Sequence, residues 1–331
     1  MSAIEISVAK PPISLSPPWV SLLHSYKSSL KAKNRSLKTI SWYMPILQRF
    51  FAFHENQNHG KPLNHIGVKD VEAYLLHLQK AIRWEHSPKM KPNGNLSPFS
   101  IQGHARTIKA FFSWLVDQGY LEHNPIAKFP LPKVPKKLMP TLSIEQLKKL
   151  FSALDKSTPL GARNYCILAL LLDTGLRISE LANIKMTDFD SMMTILKVKG
   201  KGQKERVVPI SKFARKGLTK YLQHYRPHLY QGESLFLFPK SDGNHISNNC
   251  VQQESRRLAK KAGLSGVQVS PHVFRHTFAT MYLRKGGQSL ALKEILGHES
   301  IQTTEKYVHL QPADLLAQHE QYSPLSELLE K

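Results

Sequence analysis

The sequence predicts a mainly α fold of the α+β class: an N-terminal four-helix domain followed by a mostly helical domain with a small antiparallel β-sheet. Three observations carry this. Apolar residues recur at helical spacing in four stretches between 19 and 118, a Pro- and Lys-rich segment at 124–141 breaks the pattern, and two alternating runs flank Gly200, Lys201 and Gly202. The 331 residues leave room for two separate cores.

Residues 1–18 are proline-rich and without period, a lead-in. A first helix is expected over about 19–33. A second begins after Ser36 with Ile40, Tyr43, Leu47, Phe50 and Phe51 on one face, and Pro45 predicts a kink or a late start. The third follows Asp70 with Val71, Tyr74, Leu75 and Leu78, and the fourth runs over about 98–118 through Ile101, Ile108, Phe111, Phe112 and Leu115. These helices form a domain over 19–123. The polar loop at 81–97 admits two readings, partner contact or plain flexibility. Residues 124–141 hold five prolines, four lysines and no acid, the composition of an extended linker.

The larger domain, 142–310, opens with a capping box, Ser143 with Gln146. YCILALLLDTG at 165–175 is apolar on most sides, as a central buried helix should be, and Gly175 suits its C-terminus. MTILKVK at 193–199 and KERVVPI at 204–210 read as a hairpin with Lys201 at its tip. Basic helices follow at about 211–225 and 247–262, separated by a short strand, LFLF, at 235–238; further helices are expected at about 271–285, 289–296 and 300–308. From 311 the charge changes sign: Asp314, Glu320, Glu327 and Glu330 face only Lys331, between leucines that suit a protein surface. Docking on a neighbouring subunit and packing on its own domain both fit.

Forty-six Lys and Arg against 24 Asp and Glu give a net charge of +22 and a pI near 9.9, which point to a polyanionic partner. Lys27, Lys31, Lys33, Arg35, Lys38 and Arg49 occur with no acid among them. Cys166 and Cys250 lie too far apart in kind and position to suggest a disulfide framework, and Cys166 sits in an apolar run as a small hydrophobe. No basic stretch leads into an apolar one at the N-terminus, and the longest apolar run, 166–172, is too short to span a bilayer; a cytoplasmic, nucleoid-associated protein without a membrane partner is expected. Sixteen histidines include no His-Glu-x-x-His, His54 and His59 read as a solvated pair, and no acidic cluster marks a two-metal site, so neither metal nor cofactor is implied.

The chemistry concentrates at 270–310, where His272 precedes Arg275 by three residues and His298 precedes Tyr307 by nine. Cleaving a phosphodiester without a metal needs cations at the non-bridging oxygens, an in-line nucleophile and a proton donor for the leaving oxygen. Arg177 and Arg275 supply forked donors, His272 and His298 donate or move protons, Lys201 reaches a leaving 5′ oxygen, and Tyr307 is the nucleophile. Lys199 and Lys204 flank Lys201 as rivals.

In this order, TGLRISEL at 174–181, KVKGKGQKERVVP at 197–209, SPHVFRHTFAT at 270–280 and LGHESIQTTEKYVH at 296–309 resemble the first arginine motif, the lysine hairpin, the His-x-x-Arg box and the final box of the tyrosine recombinase (phage integrase) family, closest to its Xer-like members. The resemblance implies catalytic roles for Arg177, Lys201, His272, Arg275, His298 and Tyr307, with Glu180 supporting them, and its Gly-Lys-Gly match favours Lys201 over its neighbours. It reaches the first domain through Thr39, Tyr43, Leu47 and Phe50, and implies a two-domain clamp on double-stranded DNA. It further implies a site-specific recombinase forming a 3′-phosphotyrosyl intermediate, assembled as a tetramer in the synapse with its C-terminal helix docked in a neighbour; a related recombinase as second partner is compatible. A type IB topoisomerase or hairpin resolvase would use the same residues. A non-catalytic DNA-binding regulator predicts a lost catalytic position, and none is lost. Only about 18 residues precede the first helix, which favours a simple short-site recombinase over one with an arm-binding domain.

Overall fold

The computed structural model describes residues 18–58, 62–81, 94–135, 140–200 and 204–298. It divides into two compact units that adjoin in sequence at Lys137 and Leu138.

The first unit is built on α1 (Pro18–Ala32), α2 (Leu37–Asn58), α3 (Val68–Lys80) and α4 (Pro98–Asp117). Short side chains start them. Ser36 Oγ accepts from the Thr39 amide, Ser97 Oγ accepts from the Ser100 amide, and Asp70 accepts from the Gly67 amide. Asp70 therefore lies in the first turn of α3 rather than before it. Of the expected kink or late start at Pro45, the late start does not occur: α2 begins at Leu37 and continues through Pro45. Aromatic rings fill the core: Phe50 meets Tyr74 edge-on at 5.2 Å, and Phe51 meets Phe111 at 5.6 Å. His54 is buried there, stacked near Phe50, so the solvated reading fails for it; His59 lies outside the described residues. His104 is buried too, 3.0 Å from the Tyr74 hydroxyl, and burial holds it neutral down to about pH 4. All six cations between 27 and 49 are exposed.

After α4 the Pro-rich segment lies along that helix. Ile126 and Phe129 sink into the core, Lys109 Nζ donates to the Ala127 and Phe129 carbonyls, and Gln102 Nε2 donates to the Pro132 carbonyl. Prolines that cannot donate leave carbonyls for side chains of α4 to satisfy.

The second unit contains α5 (Ile144–Ser152), α6 (Pro159–Thr174), α7 (Ile178–Ala182), α8 (Lys212–Lys220), α9 (Arg226–Leu229), α10 (Asn248–Lys261), α11 (Pro271–Arg284) and α12 (Ser289–Leu296). Ser143 and Gln146 close the capping box of α5 in both directions. Helix α6 is the buried centre, packed by α11 and α8; Cys166 lies inside it, its thiol pushed up to about 12 by burial. Strands β1 (Ile195–Lys199) and β2 (Glu205–Pro209) pair antiparallel with Lys199 opposite Glu205, and Leu196, Val198 and Val208 face inward. The LFLF segment is not a strand: Phe236 makes an isolated bridge with Lys185, with bonds only at Met186 to Leu235 and Leu237 to Ile184. Between α8 and α9 a π-helical turn covers Tyr221–Tyr225, where the Arg226 amide reaches back five residues to the Tyr221 carbonyl. The widened ladder makes room for Pro227, whose ring would clash in a regular helix. No described helix is long and apolar enough to cross a membrane. The expected helix at 300–308 and the tail lie outside the described residues.

Gly175 ends α6 with φ +62°, and a Cβ there would sit 2.5 Å from Phe278 Cδ1 and 2.7 Å from Leu296 Cδ2. Gly263 is also left-handed, at φ +68°, but in open space. Urea unfolding should therefore show Gly175→Ala destabilised by about 2–4 kcal/mol, backbone strain plus overpacking, and Gly263→Ala by only about 1 kcal/mol. Equal losses would contradict the steric assignment.

Candidate active site

Helix α7 begins immediately after the α6 cap, with Arg177 as its N-cap residue. An N-cap needs an acceptor for its exposed amide, and Glu180, three residues on, supplies it: the Arg177 amide donates to Glu180 Oε2 at 2.8 Å and Arg177 Nη1 donates to Oε1 at 2.8 Å. The Glu180 side chain is 3% exposed, that of Arg177 34%. Two more bonds reach the same carboxylate from Arg206 on β2, Nη1 and Nη2 to Oε1 and Oε2, each at 2.9 Å. Burial alone would raise the Glu180 pKa; the bonds from Arg206 and the Arg177 amide outweigh it and hold the group below the usual carboxylate range.

Helix α12 stops at Gly297, φ +64°, which turns the chain sharply into His298. The last carbonyls of a helix have no partner inside it and carry the negative end of its dipole. Here three successive ones are taken by three different arginines. Arg206 Nε donates to the Ile295 carbonyl at 2.8 Å, Arg275 Nη2 to the Leu296 carbonyl at 2.8 Å, and Arg177 Nη2 to the Gly297 carbonyl at 3.2 Å. Arg275, from α11, is 6% exposed; its Nη1 also donates to the Gly175 carbonyl at 2.7 Å, tying the ends of α6 and α12 to one guanidinium.

Arg275 Nη2 lies 3.0 Å from His298 Nε2. A guanidinium only donates, so Nε2 accepts, which places the imidazole proton on Nδ1 and leaves the ring neutral. Its pKa is lowered to about 4, first by burial, then by the charges of Arg275, Arg177 and Arg206. His272 stands exposed in the first turn of α11, one turn before Arg275. His276, one turn further on, is half-buried and lowered by burial and by the neighbouring His272 and Arg275.

The structure thus brings Arg177, Glu180, Arg275 and His298 together at the end of α12 and puts His272 on the helix that carries Arg275. Lys201 and Tyr307 lie outside the described residues. The described ends of the hairpin close with the Gly200 amide donating to the Lys204 carbonyl at 2.8 Å. Of the rival lysines, Lys199 pairs across the strands with Glu205 at 3.2 Å, both side chains exposed, and Lys204 is exposed. The sequence reading missed Arg206 and His276. A signal for Arg206 existed: it alternates with Val208 on the inward side of β2, where a charge demands a buried partner.

The folded chain protonates His298 only near pH 4, whereas the unfolded chain does so near 6.5. Its neutral form therefore contributes stability that is complete above pH 6.5 and is lost as the pH falls towards 4. Urea midpoints measured at pH 7.5 and 5 should move less for His298→Asn than for the natural chain. An identical pH dependence would contradict the buried, arginine-flanked imidazole.

Residues 140–314 match the phage integrase family, and residues 22–122 match the N-terminal SAM-like domain of phage integrases. The chain is 35% identical to tyrosine recombinase XerC of Oceanobacillus iheyensis over 284 residues, 84% of this chain and 87% of that protein. It is 34% identical to tyrosine recombinase XerD of Listeria innocua over 232 residues, 69% of this chain and 77% of that one. Its fold is similar to that of the XerH site-specific recombinase bound to palindromic difH substrate in a post-cleavage complex, with a TM-score of 0.68 and 23% identity over 91% of this chain and 84% of that one. It is also similar to a lambda integrase dimer bound to a core site, with a TM-score of 0.66 and 20% identity over 87% and 94%. With one family pattern covering the arginines and the His298 turn, a second covering the helical N-terminal unit, and relatives aligned over most of their length, the chain belongs to the phage integrase family.

Proposed function

We propose that Arg177, Lys201, His272, Arg275, His298 and Tyr307 are the catalytic residues with which this chain, a tyrosine recombinase, carries out site-specific recombination of double-stranded DNA. The observation that carries the reading is the convergence of Arg177, Arg275 and His298, from three separate segments, on the end of α12. Around that point three guanidiniums face one carboxylate, so side chains leave 3 − 1 = 2 positive charges for an anion. A phosphodiester passing through a five-coordinate state concentrates charge on its non-bridging oxygens, which forked donors answer.

In this reading Arg177 and Arg275 hold those oxygens, and His298, with its proton on Nδ1, donates to one of them. His272 is exposed at the start of α11, one turn before Arg275. The Tyr307 oxygen attacks phosphorus as its proton passes to His272, the bond to the 5′ oxygen breaks, and Lys201 gives that oxygen a proton. The 3′-phosphotyrosyl product keeps the bond energy, and a 5′ hydroxyl from a partner strand reverses the step. Exchange between two duplexes requires four protomers. The net charge of +22 and the exposed cations of the N-terminal unit support a partner held largely through its phosphates.

Tyr307→Phe should retain DNA binding and form no covalent protein–DNA adduct on a nicked substrate in a denaturing gel; an adduct that persists would reject Tyr307 as nucleophile. Plasmids carrying two sites separate the readings further, because relaxation of supercoils without exchange would favour a topoisomerase. Removal of residues 312–331 should leave site binding unchanged and lower recombination at least roughly tenfold, as expected for a lost contact of about 1.4 kcal/mol or more between protomers. An unchanged recombination rate would show that the tail does not join them.

A further inference from the structure

We infer that Arg206 is a positioning residue for strand cleavage: through Glu180 and the end of α12 it locks Arg177 and the His298 turn into one geometry. The inference rests on the reading of Arg177, Arg275 and His298 as the phosphate site.

The guanidinium of Arg206 is used on both of its edges. Its two terminal nitrogens clasp the two oxygens of Glu180, the carboxylate that holds Arg177 by amide and side chain, while Nε bonds the Ile295 carbonyl two residues before the left-handed Gly297. The side chain is 10% exposed. It therefore joins three elements distant in sequence: β2, the start of α7 and the end of α12. The surrounding backbone is fitted to it. A Cβ on Gly297 would come 2.9 Å from Arg206 Cδ and 3.1 Å from Nε, so the glycine turn packs directly on this arginine. A Cβ on Gly200, the last described residue of the first hairpin arm, would lie 3.6 Å from Arg206 Nη1 and 3.8 Å from Glu180 Oε1. The ion pair thus also floors the base of the hairpin turn.

Nothing in this set makes Arg206 a phosphate ligand: all three of its nitrogens already donate, to Glu180 and Ile295, and its side chain is only 10% exposed. Its effect passes through other groups. Without the fork, Glu180 keeps Arg177, but of the two links between the start of α7 and the end of α12 only the 3.2 Å bond from Arg177 to the Gly297 carbonyl remains, and Arg177 and His298 are held less firmly relative to one another. Misplacement of catalytic groups by about 1 Å can cost roughly a hundredfold in rate. Lysine keeps the charge beside Glu180 but cannot span both carboxylate oxygens and the Ile295 carbonyl at once.

The experiment uses the full chain with R206K and R206Q, a nicked substrate that traps the covalent adduct, and protein in excess so that all DNA is bound. Three quantities are read: the adduct-forming rate, the DNA affinity and the thermal midpoint. The expected result is that R206K keeps affinity within about threefold and a near-natural midpoint, yet forms adduct at least roughly tenfold more slowly, with R206Q slower still. A purely structural role would instead lower the rate only in proportion to the folded, DNA-bound fraction, and that outcome overturns the inference, as does natural cleavage by R206K. Tyr307→Phe run alongside keeps the two ideas distinguishable. If it still forms adduct, the site reading fails; if it does not and R206K is unimpaired, the Arg206 inference fails alone.

Discussion

Everything in the site depends on the C-terminal end of one short helix. Three consecutive carbonyls of α12, at Ile295, Leu296 and Gly297, are acceptors that the helix cannot satisfy itself, and each is taken by an arginine from a different element. Guanidinium is suited to this, because it offers several donors in a fixed plane and stays charged when buried. The helix end thereby assembles the cations, and Glu180 keeps two of them from repelling one another. The assembly is polar and buried, so it tolerates little disorder: breaking a buried charge pair leaves an uncompensated charge at a cost of several kcal/mol.

The two units solve different problems. The N-terminal unit is held by aromatic packing, with Phe50, Phe51, Tyr74, Phe111 and Phe112 fully buried, which leaves its lysines and arginines at 27–49 free of structural duty and exposed. The second unit turns Arg177, Arg206 and Arg275 towards its site, while Arg256, Arg257 and Arg284 stay exposed. Among the described residues the cations thus divide into a solvent-facing population that answers a polyanion at long range and a few inward-turned arginines that shape a small site.

The helices were legible because their signals are local. Ser143 with Gln146, Gly175 after an apolar run, and the alternation around Gly200 each act within a few residues, and the start of α5, the end of α6 and the hairpin strands lie within a residue or two of expectation, whereas α6 begins six residues earlier, at Pro159. Long-range features escaped. LFLF has the composition of a strand, but the segment opposite it, at 184–186, offers only two bonds. His54 looks polar on paper and is buried because its helical register points it at the aromatic core. Arg206 reads as one more charge on a basic hairpin until Glu180, 26 residues away, is brought beside it. Arg177, Arg275 and His298 stood out by side-chain chemistry and motif; the reason for their meeting, the carbonyls of α12, is written in no side chain.

That last point bears on how such a chain can vary. Backbone acceptors are the same whatever residue carries them, so exposed positions of α12 such as Leu290 and Glu294 are open to exchange without touching the arginines. Length is another matter. One residue inserted or deleted within α12 rotates its end by about 100° and shifts it by about 1.5 Å, which would turn all three carbonyls away together. The helix is therefore permissive to substitution and intolerant of insertion or deletion, a register fixed by the chain count rather than by the chemistry of its side chains.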